Sequence, residues 1–297
     1  IRHVVECFAR AARRAVEAGC DFVGIHGAHG YLISQFFSPY ANKRDDAYGG
    51  DLQRRMRFPL EVVAAVRQAI GRDVPILYRL SGDEHQPAGG ITLPDVCALA
   101  PRLEAAVVDL IDVSAGMYET NWWITQPMEM PQGVLATSAK PVREAVGIPV
   151  SVSGRITDPS VAEHVIESGC ADFVTLGRAM HADPEFANKA RDERLEEICT
   201  CIACNQGCSD MHAKGLPTVY AEKRSELRSS IDKFIAEMEQ EAAQQAETAR
   251  HNRVGESISA VNAETNAALG FGRLGVSSTT AANSASNVTG AEGPFAA

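Results

Sequence analysis

An α/β architecture built on a parallel sheet follows from three observations. Apolar runs rich in β-branched residues recur between residues 22 and 176, segments of helical periodicity separate them, and each run ends in a polar or glycine-bearing turn. The predicted strands cover 22–25, 76–80, 107–113, 148–152 and 173–176, and the clearest predicted helices cover 4–18, 52–70, 93–103 and 161–167. The turns that close the strands read HGAHGY, RLSGDE, SAGMY, SGRITD and GRAMHADP. Strand–helix alternation selects a parallel sheet, because a parallel partner strand is reached only by a long crossover. Unusual residues gathered at strand C-termini are how a (β/α)8 TIM barrel builds its functional face; an open doubly wound sheet does likewise at its switch point.

Five strands are legible where a closed barrel has eight, so the expectation is a TIM barrel truncated to about its last five βα units. The sequence opens inside a helical pattern without an initiator methionine, in keeping with that expectation. Residues 1–198 carry the barrel part and 199–220 a cysteine-rich segment. In 221–254, Leu227, Ile231, Phe234 and Met238 recur at spacings of four, three and four, the signature of an amphipathic helix. Residues 255–297 are mostly Ala, Ser, Thr, Asn and Gly, too poor in large apolar groups to offset ordering entropy, and are expected to be disordered. An open barrel exposes strand edges that invite pairing, which is compatible with a homo-oligomer.

Composition narrows the partners. An apolar content of 45% is ordinary for a globular chain that buries a core, and a formal charge of −10 argues against nucleic acid or an anionic membrane. Small molecules remain the expected partners, with room for a local basic groove. No apolar stretch approaches bilayer length and no signal-peptide pattern opens the chain, which leads to the expectation of a cytoplasmic protein. Cys7, Cys20, Cys97 and Cys170 are scattered in a manner that suits reduced thiols and no disulfides.

Four constellations can carry chemistry. Cys201, Cys204 and Cys208 in CIACNQGC have CxxCxxxC spacing, which lets three thiolates reach three corners of an iron–sulfur cube, or leaves three ordinary reduced thiols. Gly154-Arg155 and Gly177-Arg178 close the last two strands, where glycine permits close approach and arginine supplies charge to a phosphate; two exposed turn arginines would look the same. Arg79 stands inside a strand, so it must meet a carboxylate such as Asp112 or an anionic ligand. His26, His29 and Tyr31 in HGAHGY place two imidazoles and a phenol at one strand end, suited to holding an oxygen and delivering a proton. Trp122, Trp123 and Met128 offer an apolar wall for a bulky substrate. GFGRLG at Gly270, Gly272 and Gly275 spells GxGxxG but lacks the flanking strand and helix that a dinucleotide site needs.

The segment FVGIHGAHGYLISQFFSPYANKRDDAYGGDLQRRMRFPLEVVAAVR resembles the central signature of the Old Yellow Enzyme family of flavin oxidoreductases. CIACNQGC resembles the cluster motif of its larger iron–sulfur branch, which includes 2,4-dienoyl-CoA reductase, 2-enoate reductase and trimethylamine dehydrogenase. The resemblance covers about residues 1–217 and implies a chain incomplete at both ends of that branch's pattern. It implies FMN in the barrel, with Arg79 beside the flavin pyrimidine and Arg155, Gly177 and Arg178 at the phosphate. His26 and His29 would hold a substrate oxygen, and Tyr31 would donate the proton. The implied activity is reduction of FMN by NAD(P)H followed by hydride transfer to an activated C=C bond. An amine dehydrogenase of the trimethylamine dehydrogenase type, or a non-catalytic remnant, are the alternatives. Cys201, Cys204 and Cys208 would ligate a 4Fe-4S cluster, but Tyr220 stands where the fourth cysteine is expected, which implies a labile cluster or none. Relative to the dienoyl-CoA reductases, His29 replaces an acidic residue, Tyr40 an arginine and Tyr118 a histidine, so a CoA ester is not the expected substrate.

Overall fold

The computed structural model describes residues 1–206 together with Cys208, Gln240 and Gln244. The described residues through Cys208 belong to one compact unit. Helix α1 (Arg2–Glu17) leads into β1 (Val23–Gly27), which is followed by α2 (Leu32–Phe37) and α3 (Leu52–Ile70). Strand β2 (Ile76–Ser81) is followed by α4 (Leu93–Ala105), and β3 (Leu110–Ser114) by α5 (Asn121–Ile124) and α6 (Ala136–Ala145). Strand β4 (Val150–Val152) precedes α7 (Pro159–Glu167), and β5 (Phe173–Val174) precedes α8 (Arg178–Ala182) and α9 (Phe186–Arg191).

The five strands are all parallel and lie side by side in chain order. A doubly wound sheet reverses its order at a switch point; this one runs on without reversal, like the wall of a barrel. Among the described residues β1 and β5 are its edges.

Local chemistry sets the element ends. Asp51 caps α3 by accepting the Arg54 N–H at 2.9 Å, and the helix stops at Gly71, whose φ of 77° favours glycine. Thr92 and Asp95 form a capping box on α4, with a proline in its first turn. The strands bury Ile76, Tyr78, Ile111, Val113, Val150 and Val152 against Val62, Val63 and Val66 of α3 and Val96, Leu99 and Leu103 of α4. Each such side chain contributes about 1.5–3 kcal/mol relative to exposure. Gly27 is required where it is, because a Cβ there would overlap the Tyr78 ring.

The first strand runs on to Gly27, the fourth begins at Val150 and the fifth ends at Val174, each about two residues from the predicted bound, and two further differences have a local cause. The third strand begins at Leu110 and not at residue 107, because Val107 has φ 68° and so cannot continue a strand. Helix α6 was not anticipated; its sequence contains Pro141 and buries only Ala139 and Val142, so its apolar stripe is narrow. The expected helix at 221–254, apart from the helical residues Gln240 and Gln244, lies outside the described residues, as do Tyr220, the polar tail and the GFGRLG segment. No described helix is long and apolar enough to cross a membrane.

Candidate functional site

The strand register assembles the site. His26 pairs with Arg79, Arg79 with Asp112, and Asp112 with Ser151, so four strands present these residues side by side toward one face. Arg79 Nε lies 3.2 Å from Asp112 Oδ2, and Asp112 is only 2% exposed. Ser151 Oγ and Thr175 Oγ1 each donate to Asp112 Oδ1 at 2.8 Å. A buried carboxylate is tolerable when paired and hydrogen-bonded in this way. Arg79 keeps about a third of its side chain accessible and lines the cavity described below. The carboxylate partner and the open guanidinium edge are both present.

His26, His29 and Tyr31 converge at the end of β1. Ring centroids are 5.0 Å apart for His26 and His29, and 5.1 Å for His26 and Tyr31. His29 has φ 64°, a conformation few non-glycine residues adopt, and its placement is over-determined. Its N–H donates to Ser81 Oγ at 3.0 Å, Ser81 Oγ donates to the Gly116 carbonyl at 2.9 Å, and His29 Nε2 lies 2.7 Å from Ser114 Oγ. Burial first, then Arg79 and His26, pushes His29 down to about 3. His26 is also lowered, first by desolvation and then by Arg79, against the opposing pull of Asp112. Both imidazoles are therefore neutral near pH 7, each with a ring N–H to donate and neither carrying charge. Tyr31 is about half exposed and meets Tyr118 edge-on at 5.4 Å; hydrogen bonding to Tyr31 is the first cause that holds the Tyr118 phenol above its ordinary range.

A cavity of about 440 Å³ opens beside Arg79, lined also by Ser153, Gly154, Arg155, Gly177 and Arg178. Its far end is cationic. Arg155, held at φ 53°, donates to the Met130 carbonyl and keeps its buried Nε without a partner. Arg178 Nη1 donates to the Gln126 carbonyl and to Asn205 Oδ1, both at 2.6 Å. Burial lowers Arg178, Arg155 lowers it further, and the cysteines oppose this. Neither arginine has a carboxylate partner among the described residues. Gly177 faces open space, since a Cβ added there would meet nothing within 4 Å. Two partly buried guanidiniums without a carboxylate partner, one of them with a buried N–H left unmet, and a glycine that keeps the wall clear fit the phosphate of a flavin nucleotide.

The cysteine loop abuts this end. Cys208 lines the cavity. No three His, Cys, Asp or Glu side chains converge on a single ion among the described residues. Trp122 and Met128 are exposed, whereas Trp123 packs against the core and stacks on His85 at 3.6 Å. Sequence reasoning assigned no role to Ser114, Gln126 or Asn205; Ser114 lies in the strand-end turn SAGMY and Asn205 inside CIACNQGC, whereas Gln126 carried no signal.

Fold and cavity together define an α/β protein with a cationic-ended cavity at the strand ends of a parallel sheet. The family model described as "NADH:flavin oxidoreductase / NADH oxidase family" matches residues 1–197. The chain belongs to that family, in agreement with its Old Yellow Enzyme signature. It is 45% identical over 208 residues to an NADH oxidase of Thermoanaerobacter brockii, a match covering 70% of this chain and 32% of that protein. Among solved structures it is similar to a 2-naphthoyl-CoA reductase in complex with 2-naphthoyl-CoA, with TM-score 0.71 and 31% identity over 74% of this chain and 33% of that one. A histamine dehydrogenase from Rhizobium sp. 4-9 gives TM-score 0.63 and 33% identity over 69% and 29%. The chain thus spans about a third of the length of these relatives.

Proposed function

We propose that this chain forms the flavin-holding part of an FMN-dependent NAD(P)H oxidoreductase that reduces carbonyl-conjugated C=C bonds, on a (β/α)8 barrel of which it contributes five strands. The observation that carries the reading is Arg79, which stands between the His26–His29–Tyr31 cluster and a cavity whose other end is cationic. Arg155, Arg178, Gly154 and Gly177 would hold the FMN phosphate, and Arg79 would stand beside the electron-rich ring. When bound, FMN would supply hydride chemistry between NAD(P)H and the β-carbon of the alkene. His26 and His29, being neutral, donate N–H groups to the substrate carbonyl oxygen and stabilise the charge that gathers on it. Tyr31 gives its phenolic proton to the α-carbon. Cys201, Cys204 and Cys208 would be three ligands toward a 4Fe-4S cluster, one short of a full set from this motif, and no step above needs it.

The similarity to a histamine dehydrogenase supports a second reading, oxidation of an amine. Arg79 beside two neutral imidazoles favours an electron-rich oxygen over a protonated amine, so alkene reduction is preferred. The test is Tyr31→Phe with the two half-reactions measured separately. Reduction of bound flavin by NAD(P)H should persist while alkene turnover falls by about 10²-fold or more. Equal loss of both makes Tyr31 structural, reduction of the flavin by an amine alone favours the second reading, and purified protein that takes up no flavin leaves a non-catalytic remnant.

A further inference from the structure

Arg178 does not hold its place in the cavity by itself. Its Nη1 is fixed between the Gln126 carbonyl and Asn205 Oδ1, and Asn205 belongs to the cysteine loop. The same Asn205 amide donates through Nδ2 to the Thr125 carbonyl at 3.0 Å, one residue before Gln126. One side chain thus bridges the loop after β3, the guanidinium after β5 and the thiol-bearing segment. Its backbone is set for this, with φ 58°, a region asparagine tolerates better than most residues. Two residues earlier Ala203 has φ 56° and is 1% exposed, which anchors the loop under the cavity.

We infer that Asn205 is a positioning residue that aims Arg178 at a phosphoryl group, so that the cysteine loop forms one wall of the anion site. This rests on the reading of the cavity as a phosphoryl site and adds a residue to it from outside the glycine–arginine turns. Asparagine suits the role because its carbonyl oxygen orients the guanidinium without neutralising it; a carboxylate there would compete with the ligand for the same charge. Coupling of this kind is reciprocal, so a phosphorylated ligand that fixes Arg178 also steadies the loop that carries the thiols.

The experiment compares binding of FMN and of riboflavin, which lacks the phosphate, by quenching of flavin fluorescence in the full 297-residue chain. Asn205→Gly keeps the backbone conformation while removing the amide, and should lower the FMN-to-riboflavin affinity ratio about tenfold, the size of a hydrogen bond to a charged group. Asn205→Asp should lower it at least as much, because its carboxylate engages Arg178. Riboflavin affinity within twofold of the parent serves as the control for an intact cavity. A ratio unchanged in Asn205→Gly overturns the inference. Should Asn205→Gly lose riboflavin as well, Asn205→Asp decides: a lowered ratio supports the role and an unchanged one overturns it. A parent chain that binds both flavins equally would sink the phosphoryl site itself, a failure separate from that of Asn205.

Discussion

Arg67 is buried and Arg178 half-buried, at opposite ends of the strands of one sheet, and they are treated differently. Arg67 sits below the strand N-termini, where it donates to the carbonyls of Gly71 and Val74 at 2.8 Å and of Val107 at 2.7 Å, and pairs with Asp109. Asp109 in turn accepts the Ile76 N–H at 2.7 Å. That arginine staples β2, β3 and α3 together. Arg178, above the strand C-termini, meets one carbonyl and one amide oxygen, and its neighbour Arg155 keeps an N–H unmet. A fully partnered guanidinium stabilises the fold, whereas an incompletely partnered one raises the free energy of the empty site and lets an anion recover it on binding.

The contrast can be broken by substitution. Arg67→Ala removes an ion pair whose carboxylate is half-exposed and strands three carbonyls, and urea unfolding should show a loss of about 3 kcal/mol, most of it from the carbonyls. Acidification probes the mouth. The folded state keeps His29 neutral down to about pH 3, while the unfolded chain takes up that proton below pH 6.5, so stability falls as pH drops through that window. Between pH 7 and 4.5 the share belonging to His29 is about 2–3 kcal/mol, and His29→Gln should flatten the stability–pH slope by that amount. Arg178→Ala should change the stability of flavin-free protein by less than about 1 kcal/mol, because its two hydrogen bonds are offset by the desolvation of a charge without a carboxylate partner, yet it should weaken FMN retention about tenfold. An Arg178→Ala loss as large as that of Arg67→Ala would erase the distinction between the two ends.

Much of this is legible in the residues alone. HGAHGY and the two glycine–arginine turns could be read because each lies at the end of a strand, and parallel strands in chain order bring such ends together. Arg79 announced its need for a partner by standing in a strand, and the register supplied Asp112. What sequence could not show are the contacts that aim the arginines. The Met130 and Gln126 carbonyls come from positions 25 and 52 residues away, and a backbone carbonyl has no residue-type signature. The Ser151 and Thr175 hydroxyls around Asp112 were hidden for a related reason: in a strand they read as ordinary small polar residues. The start of β3 was misplaced because nothing in a valine foretells the left-handed turn at Val107.

The alignment of His26, Arg79, Asp112 and Ser151 across four strands also constrains how this protein can change. Inserting or deleting a single residue within any of these strands would rotate its contribution to the opposite side, swapping a polar group for an aliphatic one and leaving its neighbours uncompensated. New specificities must therefore arise in the turns beyond the strands, where chain length is free to vary.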